Sequence, residues 1–236
     1  MNNVLETNEF EIPESAKRAS VPKDMFRARH LIREFQNEPL FKLLDNSSFD
    51  LEGYDDYGNT LALIAAFNGN DAALRYLIDK GVNIFKQNRD MIKTMSCFAS
   101  RHLSTFRLVN SMIGFDPNES SEDGVSPIQN CLQNLVTRNL VFGHVEKYNL
   151  DLVPEKIEII RLLVEMGANI NHANDYGRTV MHNACYSGSL ELVTFLISVG
   201  AKVDVIDNHG KLPADHSPSA ELKEVFNKLF VSKSSH

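Results

Sequence analysis

The chain has 236 residues, of which 43% are hydrophobic and 23% are charged, proportions that are ordinary for a folded globular protein. Its 31 Asp and Glu residues outnumber its 24 Lys and Arg residues, which gives a formal net charge of −7 at pH 7. This balance argues against broad binding to nucleic-acid phosphates and gives no support to electrostatic binding to anionic membranes.

The first predicted elements precede any repeated pattern. Residues 1–22 are polar, contain two prolines and lack the apolar stretch of a signal peptide, so we expect a disordered N-terminal tail. Two apolar-striped segments, 24–36 and 39–44, predict helices that form an N-terminal cap over residues 23–53. No segment approaches the roughly 18 apolar residues of a membrane span. The three cysteines lack disulfide spacing, which indicates reduced thiols and a cytoplasmic protein.

One sequence frame then recurs through the rest of the chain. Each complete copy has a turn glycine, which tolerates a positive φ, and two residues later a Thr or Ser that suits a helix N-cap. The copies open at Thr60, Thr94, Ser126, Thr179 and Leu212. These residues lie 32 to 34 positions apart, except that 53 positions separate Ser126 from Thr179.

The frame resembles the ankyrin repeat. The copy that runs from Thr179 to Cys185, Thr-Val-Met-His-Asn-Ala-Cys, is similar to the T-P-L-H-x-A core of that family. The resemblance covers about residues 54–230. It implies an all-α solenoid of stacked helix-turn-helix units joined by short β-hairpin turns, which acts mainly through an extended binding surface.

We assign five units, followed by a polar tail at 231–236. The second unit is degenerate, because Ile92 replaces the turn glycine and Leu103 replaces the glycine that ends the first helix. We therefore expect this unit to form the weak interface of the stack. The units span about 54–87, 88–120, 121–173, 174–206 and 207–230, the last being a truncated C-terminal cap.

The third unit carries an insertion of about 20 residues, from about Asn134 to Val153. Its leucines, among them Leu135 and Leu140, predict that the first helix of this unit simply runs longer. A loop would then return to Pro154, a good first residue for the second helix. Long ordered loops are often functional, yet repeat proteins also tolerate inert insertions, and the sequence leaves both alternatives open.

Residue types that often carry chemistry fall on structural positions. Cys97, Cys131 and Cys185 align with small or core positions of the first helices, and the resemblance implies a structural hydrogen-bonding role for His182. Other histidines cluster late in the chain without the spacing of a metal-ligand pair. We therefore expect no catalytic residue, no metal and no cofactor.

The resemblance also implies where a partner docks, because partners of ankyrin domains commonly contact the hairpin tips and the concave face of the first helices. Aromatic residues at two equivalent tips are natural contact anchors. The candidate contact residues are Tyr57, Phe67, Asn68, Met91, Asp123, Phe142, Tyr148, Tyr176, Tyr186 and His209.

One modification is implied by the same resemblance. The spacing from Leu163 to Asn171 is similar to that at which ankyrin hairpins become substrates of an asparaginyl hydroxylase. The corresponding positions of two other units hold Phe85 and Asp204, so only Asn171 qualifies among the clear units.

The sequence thus predicts a non-catalytic adaptor, a monomer in isolation, that binds another protein and neither nucleic acid nor membrane. One alternative is a secreted effector of an intracellular microbe that engages a host protein inside the host cell. A second is an enzyme whose cleft is formed by the N-terminal segment and the insertion, although only about 53 residues precede the first clear unit.

Overall fold

Short helices arranged in hairpin pairs form the framework of the fold. The computed structural model describes residues 22–90, 94–138 and 145–233. Short 3₁₀ segments occur at Glu122–Gly124, Gln133–Leu135, Leu150–Leu152 and Pro213–His216. In chain order the α-helices are α1 (Lys23–Arg33), α2 (Asn37–Asn46), α3 (Leu61–Asn68), α4 (Asp71–Asp79), α5 (Met95–Ala99), α6 (Leu103–Val109), α7 (Pro127–Asn130), α8 (Val153–Glu165), α9 (Val180–Ser187), α10 (Leu190–Ser198) and α11 (Ala220–Lys233).

The N-terminal helices α1 and α2 pack on each other, and α1 also packs on α3. Their buried faces include Ala28, Ile32 and Leu40. The prediction of a disordered tail concerns residues that, apart from Pro22, lie outside the described ranges. At the other end, α11 continues to Lys233, three residues beyond the predicted boundary at 230.

Local capping explains why the helices of the first unit begin and end where they do. The Thr60 hydroxyl accepts the backbone N–H of Leu63 at 3.2 Å, which satisfies a donor that the first turn of a helix leaves unpaired. Gly69 ends α3 with φ 73°, a left-handed conformation that favours glycine. Asn70 then caps α4 by accepting from the N–H of Ala73 at 3.1 Å. The fourth unit repeats this order, with Thr179 at the start of α9, Gly188 at its end and Ser189 at the start of α10.

The turns between units are hairpins closed by backbone hydrogen bonds. In the first turn the Asp55 N–H donates to the Asn59 carbonyl at 2.9 Å, and Gly58 takes φ 75°. Neighbouring turns are joined as well, because the Arg89 N–H donates to the Gly58 carbonyl at 2.8 Å. Corresponding bonds join the later turns, from Asp175 N–H to Asp123 O (2.9 Å) and from Asn208 N–H to Tyr176 O (3.0 Å).

The buried apolar side chains form two clusters along the stack. The N-terminal cluster runs from Met25 to Val109 and includes the faces of α1 to α5. The C-terminal cluster runs from Phe106 to Phe226 and includes α8 to α11. The boundary between them lies at α6, and the half-buried Phe115 packs against both.

The insertion contains a β-hairpin, so the prediction that the first helix of the third unit runs longer is wrong. Helix α7 ends at Asn130, and strand β1 (Val136–Arg138) pairs antiparallel with β2 (Val145–Tyr148). Leu132 and Leu135 are buried in the C-terminal cluster. The β-branched pair Val136-Thr137 then favours extended backbone, which accounts for the change from helix to strand.

Candidate functional site

Two adjoining depressions open along the side of the stack that is formed by the first helices. We call them together the concave face. The smaller, of about 240 Å³, lies at the N-terminal end and is lined by Arg33, Tyr57, Asn59, Leu63, Ile64, Phe67, Asn68 and Phe98. The larger, of about 740 Å³, is lined by Phe67, Arg101, Val125, Gln129, Leu132, Gln133, Asn174, Tyr176, Arg178, His182, Asn183, Tyr186 and His216.

Phe67 stands between the two depressions and lines both. It lies in the last turn of α3 and exposes 42% of its surface. The guanidinium of Arg101 lies 4.3 Å from the centre of its ring, and the ring of Phe98 meets it edge-on at 5.1 Å. Both contacts favour this orientation of the ring.

The two tip tyrosines are presented in the same way by their turns. Asp55 accepts the N–H of Tyr57 at 2.9 Å, and Asn174 accepts the N–H of Tyr176 at 3.1 Å, in each case through the side chain two residues earlier. Such turns project the following side chain outward. Tyr57 exposes 61% of its surface and Tyr176 exposes 47%. The guanidinium of Arg29 also lies 5.0 Å from the centre of the Tyr57 ring.

The structure thus brings five predicted contact residues to one face, namely Tyr57, Phe67, Asn68, Tyr176 and Tyr186. Other predicted contact residues are not part of it. Asp123 and His209 are exposed on their turns but line neither depression. Tyr148 belongs to β2 in the insertion, where only the backbone is described. Met91 and Phe142 lie outside the described residues.

Sequence reasoning missed the arginines of this face. Arg33, Arg101 and Arg178 come from α1, the second unit and the fourth unit, and no spacing in the sequence relates them. Arg178 is positioned by Asp207, whose carboxylate lies 3.3 Å from its Nε. Burial alone would raise the pKa of Asp207, but backbone N–H groups and the side chains of His216 and Arg178 hold that pKa well below its usual range.

Asn171 joins two units with its carboxamide. Its Nδ2 donates to the carbonyl of Gly200 at 3.2 Å, and its Oδ1 accepts the N–H of Lys202 at 2.7 Å. Asn118 makes the corresponding bonds in the degenerate unit, to the Gly167 carbonyl at 3.1 Å and from the Asn169 N–H at 2.8 Å. Counting back across the insertion would have revealed this equivalence from the sequence.

The three thiols are buried and protonated at neutral pH. Desolvation raises the pKa of Cys97 to about 11, and it raises the pKa values of Cys131 and Cys185 to about 12. A nucleophilic cysteine requires the opposite shift. His182 is also buried, and its Nδ1 accepts the N–H of Thr179 at 3.0 Å, in keeping with its predicted structural role.

Within residues 22–90, 94–138 and 145–233, no group of three or more His, Cys, Asp or Glu side chains could hold a metal ion. Over the same ranges, no helix combines the length and the apolar character that crossing a membrane requires.

Comparison with known proteins identifies the repeat. The family model "Ankyrin repeats (many copies)" matches residues 152–197, and the model "Ankyrin repeat" matches residues 57–85. The crystal structure of an ankyrin repeat domain from Acinetobacter baumannii AYE superposes with a TM-score of 0.59 at 19% identity, covering 88% of this chain and 98% of that chain. The predicted all-α solenoid is therefore confirmed.

Two curated relatives match parts of the chain. Ankyrin repeat protein L271 of Acanthamoeba polyphaga mimivirus is 22% identical over 203 residues, which is 78% of this chain and 27% of that protein. Human protein phosphatase 1 regulatory subunit 27 is 39% identical over 72 residues, which is 30% of this chain and 47% of that protein. The chain thus spans less than half the length of either relative. With the repeated capping pattern and the stacked hairpins, these matches show that the chain contains ankyrin repeats, at residues 57–85 and 152–197.

Proposed function

We propose that this chain is a non-catalytic adaptor that binds a partner protein through its concave face and the adjoining hairpin tips. Its ankyrin repeats indicate a protein–protein interaction module, which supports the proposal. The observation that carries the proposal is the group of exposed aromatic side chains, Tyr57, Phe67 and Tyr176, that border one continuous face. Large side chains that are exposed yet already held in place offer contact area at little entropic cost.

A non-catalytic role is supported by the state of the residues that could react. Cys97, Cys131 and Cys185 are buried thiols with raised pKa values. The carboxylates of the turns, such as Asp55, accept backbone N–H bonds within their own turn instead of converging in a pocket. The name of the human relative, a regulatory subunit of a phosphatase, is consistent with a binding role in this chain.

The proposal includes the cellular compartment and the oligomeric state. We propose that the protein acts in a reducing, cytoplasmic compartment, since its thiols are unpaired. We also propose that the partner is a protein and that the isolated chain is a monomer. A microbial effector that acts in a host cytoplasm would use the same surface and the same chemistry. Hydroxylation of Asn171 stays a prediction, which mass spectrometry of the natural protein would test.

The test compares capture of partner proteins by matched variants of the full chain. In the double variant Tyr57→Ala/Tyr176→Ala, we expect loss of most of the captured partner, because both anchors are removed from the concave face. The control is Ile113→Ala/Ile206→Ala, which removes exposed apolar surface outside both depressions and should leave capture unchanged. Quantitative mass spectrometry of the captured proteins provides the measurement.

A third variant distinguishes the concave face from the insertion. Replacing residues 139–144 by Asn-Gly would join β1 to β2 through a two-residue hairpin turn. If this variant alone loses the partner, the insertion is the binding element and the proposed surface is wrong. Equal capture by the tyrosine variant and the wild type would also contradict the proposal.

A further inference from the structure

The charge of the concave face points to a particular class of partner. We infer that this face binds an acidic segment of the partner protein, in which carboxylates stand beside apolar or aromatic side chains. This inference rests on the proposed function, since it specifies the ligand of the same surface.

The face is basic although the protein is acidic. Its lining includes three arginines but no Asp or Glu. Over the whole chain, acidic residues outnumber basic ones by 31 to 24. The basic character of the face is therefore a local property, which attracts carboxylates in particular.

Two of the arginines have N–H groups available for a ligand. Arg33 is exposed at the end of α1, and its side chain makes no hydrogen bond or ion pair with any other described residue. Arg178 exposes 40% of its side chain and uses only Nε to contact Asp207, so its two terminal amino groups donate to no other described residue. A guanidinium with two free parallel N–H donors matches the geometry of a carboxylate.

Apolar surface lies between these charges. The ring of Phe67 borders both depressions, and the side chains of Tyr176 and Tyr186 line the larger one. Arg101 already lies over the Phe67 ring at 4.3 Å, so the centre of the face combines an aromatic surface with a positive charge. A ligand that alternates carboxylates with aromatic or aliphatic side chains would satisfy both features.

A nucleic acid would fit this face less well than an acidic peptide. Asp123 and Asp175 are exposed on the turns at its edge, and these carboxylates would repel a continuous phosphate backbone. Strong phosphate binding also requires many Lys and Arg contacts, whereas this face offers three arginines from well-separated positions. A short peptide can place a few carboxylates opposite the arginines and avoid the acidic edge.

The test measures binding of a fluorescent peptide that alternates Glu and Phe, by fluorescence anisotropy with the full chain. A peptide with Gln in place of Glu is its uncharged match, and we expect it to bind at least about tenfold more weakly, since charge-assisted bonds to the arginines are lost. Arg33→Glu and Arg178→Gln should each weaken the Glu–Phe peptide about tenfold. Arg75→Glu on the exposed side of α4 makes the same charge change as Arg33→Glu outside the face and should have no effect.

Several outcomes would overturn the inference. Equal affinity for the Glu and Gln peptides would show that the charge of the face does not favour an acidic ligand. An equal loss of affinity in the Arg33→Glu and Arg75→Glu variants would show the same. Tighter binding of single-stranded oligothymidylate in competition with the peptide would assign the face to nucleic acid. If the tyrosine variant loses its captured partner while the arginine variants retain it, the proposed function stands and the acidic ligand is wrong.

An N-terminal segment of the chain has the same chemistry, and the test must separate it from a partner. Residues 5–14 include four glutamates together with Phe10 and Ile12. In the full-length variant Glu9→Gln/Glu11→Gln, we expect unchanged affinity for the Glu–Phe peptide. A marked gain in affinity would mean that this segment occupies the face itself, and the assignment to a partner protein would then fall.

Discussion

At the scale of single residues, one position of the repeat shows how different side chains meet the same backbone need. The third residue after the N-cap of a first helix can fold back and accept the N–H of the N-cap residue, a donor that would otherwise lack a partner. Three units use this device with three different residue types. The pairs are Gln129 Oε1 with Ser126 N (3.2 Å), His182 Nδ1 with Thr179 N (3.0 Å) and Asp215 Oδ2 with Leu212 N (2.8 Å).

This equivalence gives a pH prediction for His182→Gln. Burial lowers the pKa of His182 in the fold, and it outweighs a backbone hydrogen bond with Lys211, which raises that pKa. The charges of His216 and Arg178 lower the pKa further, and that of Asp207 raises it. The unfolded state, with a histidine pKa of about 6.5, therefore binds more protons, and stability falls as the pH drops below about 6.5. Glutamine keeps the acceptor, as Gln129 shows, and removes this titration. We expect the variant to lose less unfolding free energy than wild type between about pH 7.5 and 5.5, measured by urea denaturation with circular dichroism. Identical losses would contradict the prediction.

At the scale of elements, the degenerate second unit obtains its missing cap from the unit that follows it. Helix α6 begins after His102, which makes no side-chain cap, whereas Asn70 and Ser189 cap the second helices of the first and fourth units. Glu155 of α8 accepts the N–H of Leu103 at 3.2 Å, and thereby caps α6 from outside. Beside it, Lys156 is fully buried and donates to the carbonyl of Arg101 at 2.5 Å.

Replacing Lys156 should therefore destabilise the centre of the stack. In Lys156→Met, a side chain of similar length keeps the packing, but the Arg101 carbonyl and the Glu155 carboxylate lose the ammonium donor, and Glu155 keeps the N–H of Leu103. We expect a loss of about 2 kcal/mol in the free energy of unfolding, because a carbonyl and a half-buried carboxylate lose a charged hydrogen-bond donor. Urea denaturation measures it, with the exposed Lys223→Met as the control, which should change stability by less than about 0.5 kcal/mol. A loss no greater than that of the control would show that the pair contributes no stability.

At the scale of the whole molecule, the stack has an apolar core in two parts that meet at the second unit. Phe106 belongs to the C-terminal cluster and Val109 to the N-terminal cluster, although both lie on α6. The helices of this unit are also short, with five residues in α5 and seven in α6, against eight in α9 and nine in α10. In a solenoid held by nearest-neighbour contacts, such a unit is a natural place for local opening.

Hydrogen exchange tests this arrangement directly. We expect backbone amides of α5 and α6 to exchange faster than those of α9 and α10. The shorter helices α5 and α6 have fewer internal hydrogen bonds, and the apolar core is divided where they pack, so their amides are less protected. Exchange followed by peptide mass spectrometry resolves the two regions in the native protein. Uniform protection across residues 88–120 and 174–206 would show that the hydrogen bonds from Glu155 and Lys156 of α8 compensate fully for the degenerate sequence.

The sequence by itself determined the repeat architecture, because each unit depends on local backbone requirements. Gly58 and Gly177 supply the positive φ of their turns, and Thr60 and Thr179 supply the caps, at positions that the frame repeats. The same local frame located the tip tyrosines.

The tertiary structure alone decided the chemistry of the surface and the form of the insertion. The basic charge of the concave face arises where Arg33, Arg101 and Arg178 converge from distant units, and no local pattern encodes that convergence. The insertion contains a hairpin because backbone hydrogen bonds pair β1 with β2, for example with Val136 opposite Tyr148. The charge of the face and the hairpin of the insertion both depend on contacts between residues that are not neighbours in the sequence. A periodic pattern reports only local backbone requirements, such as turns and helix caps.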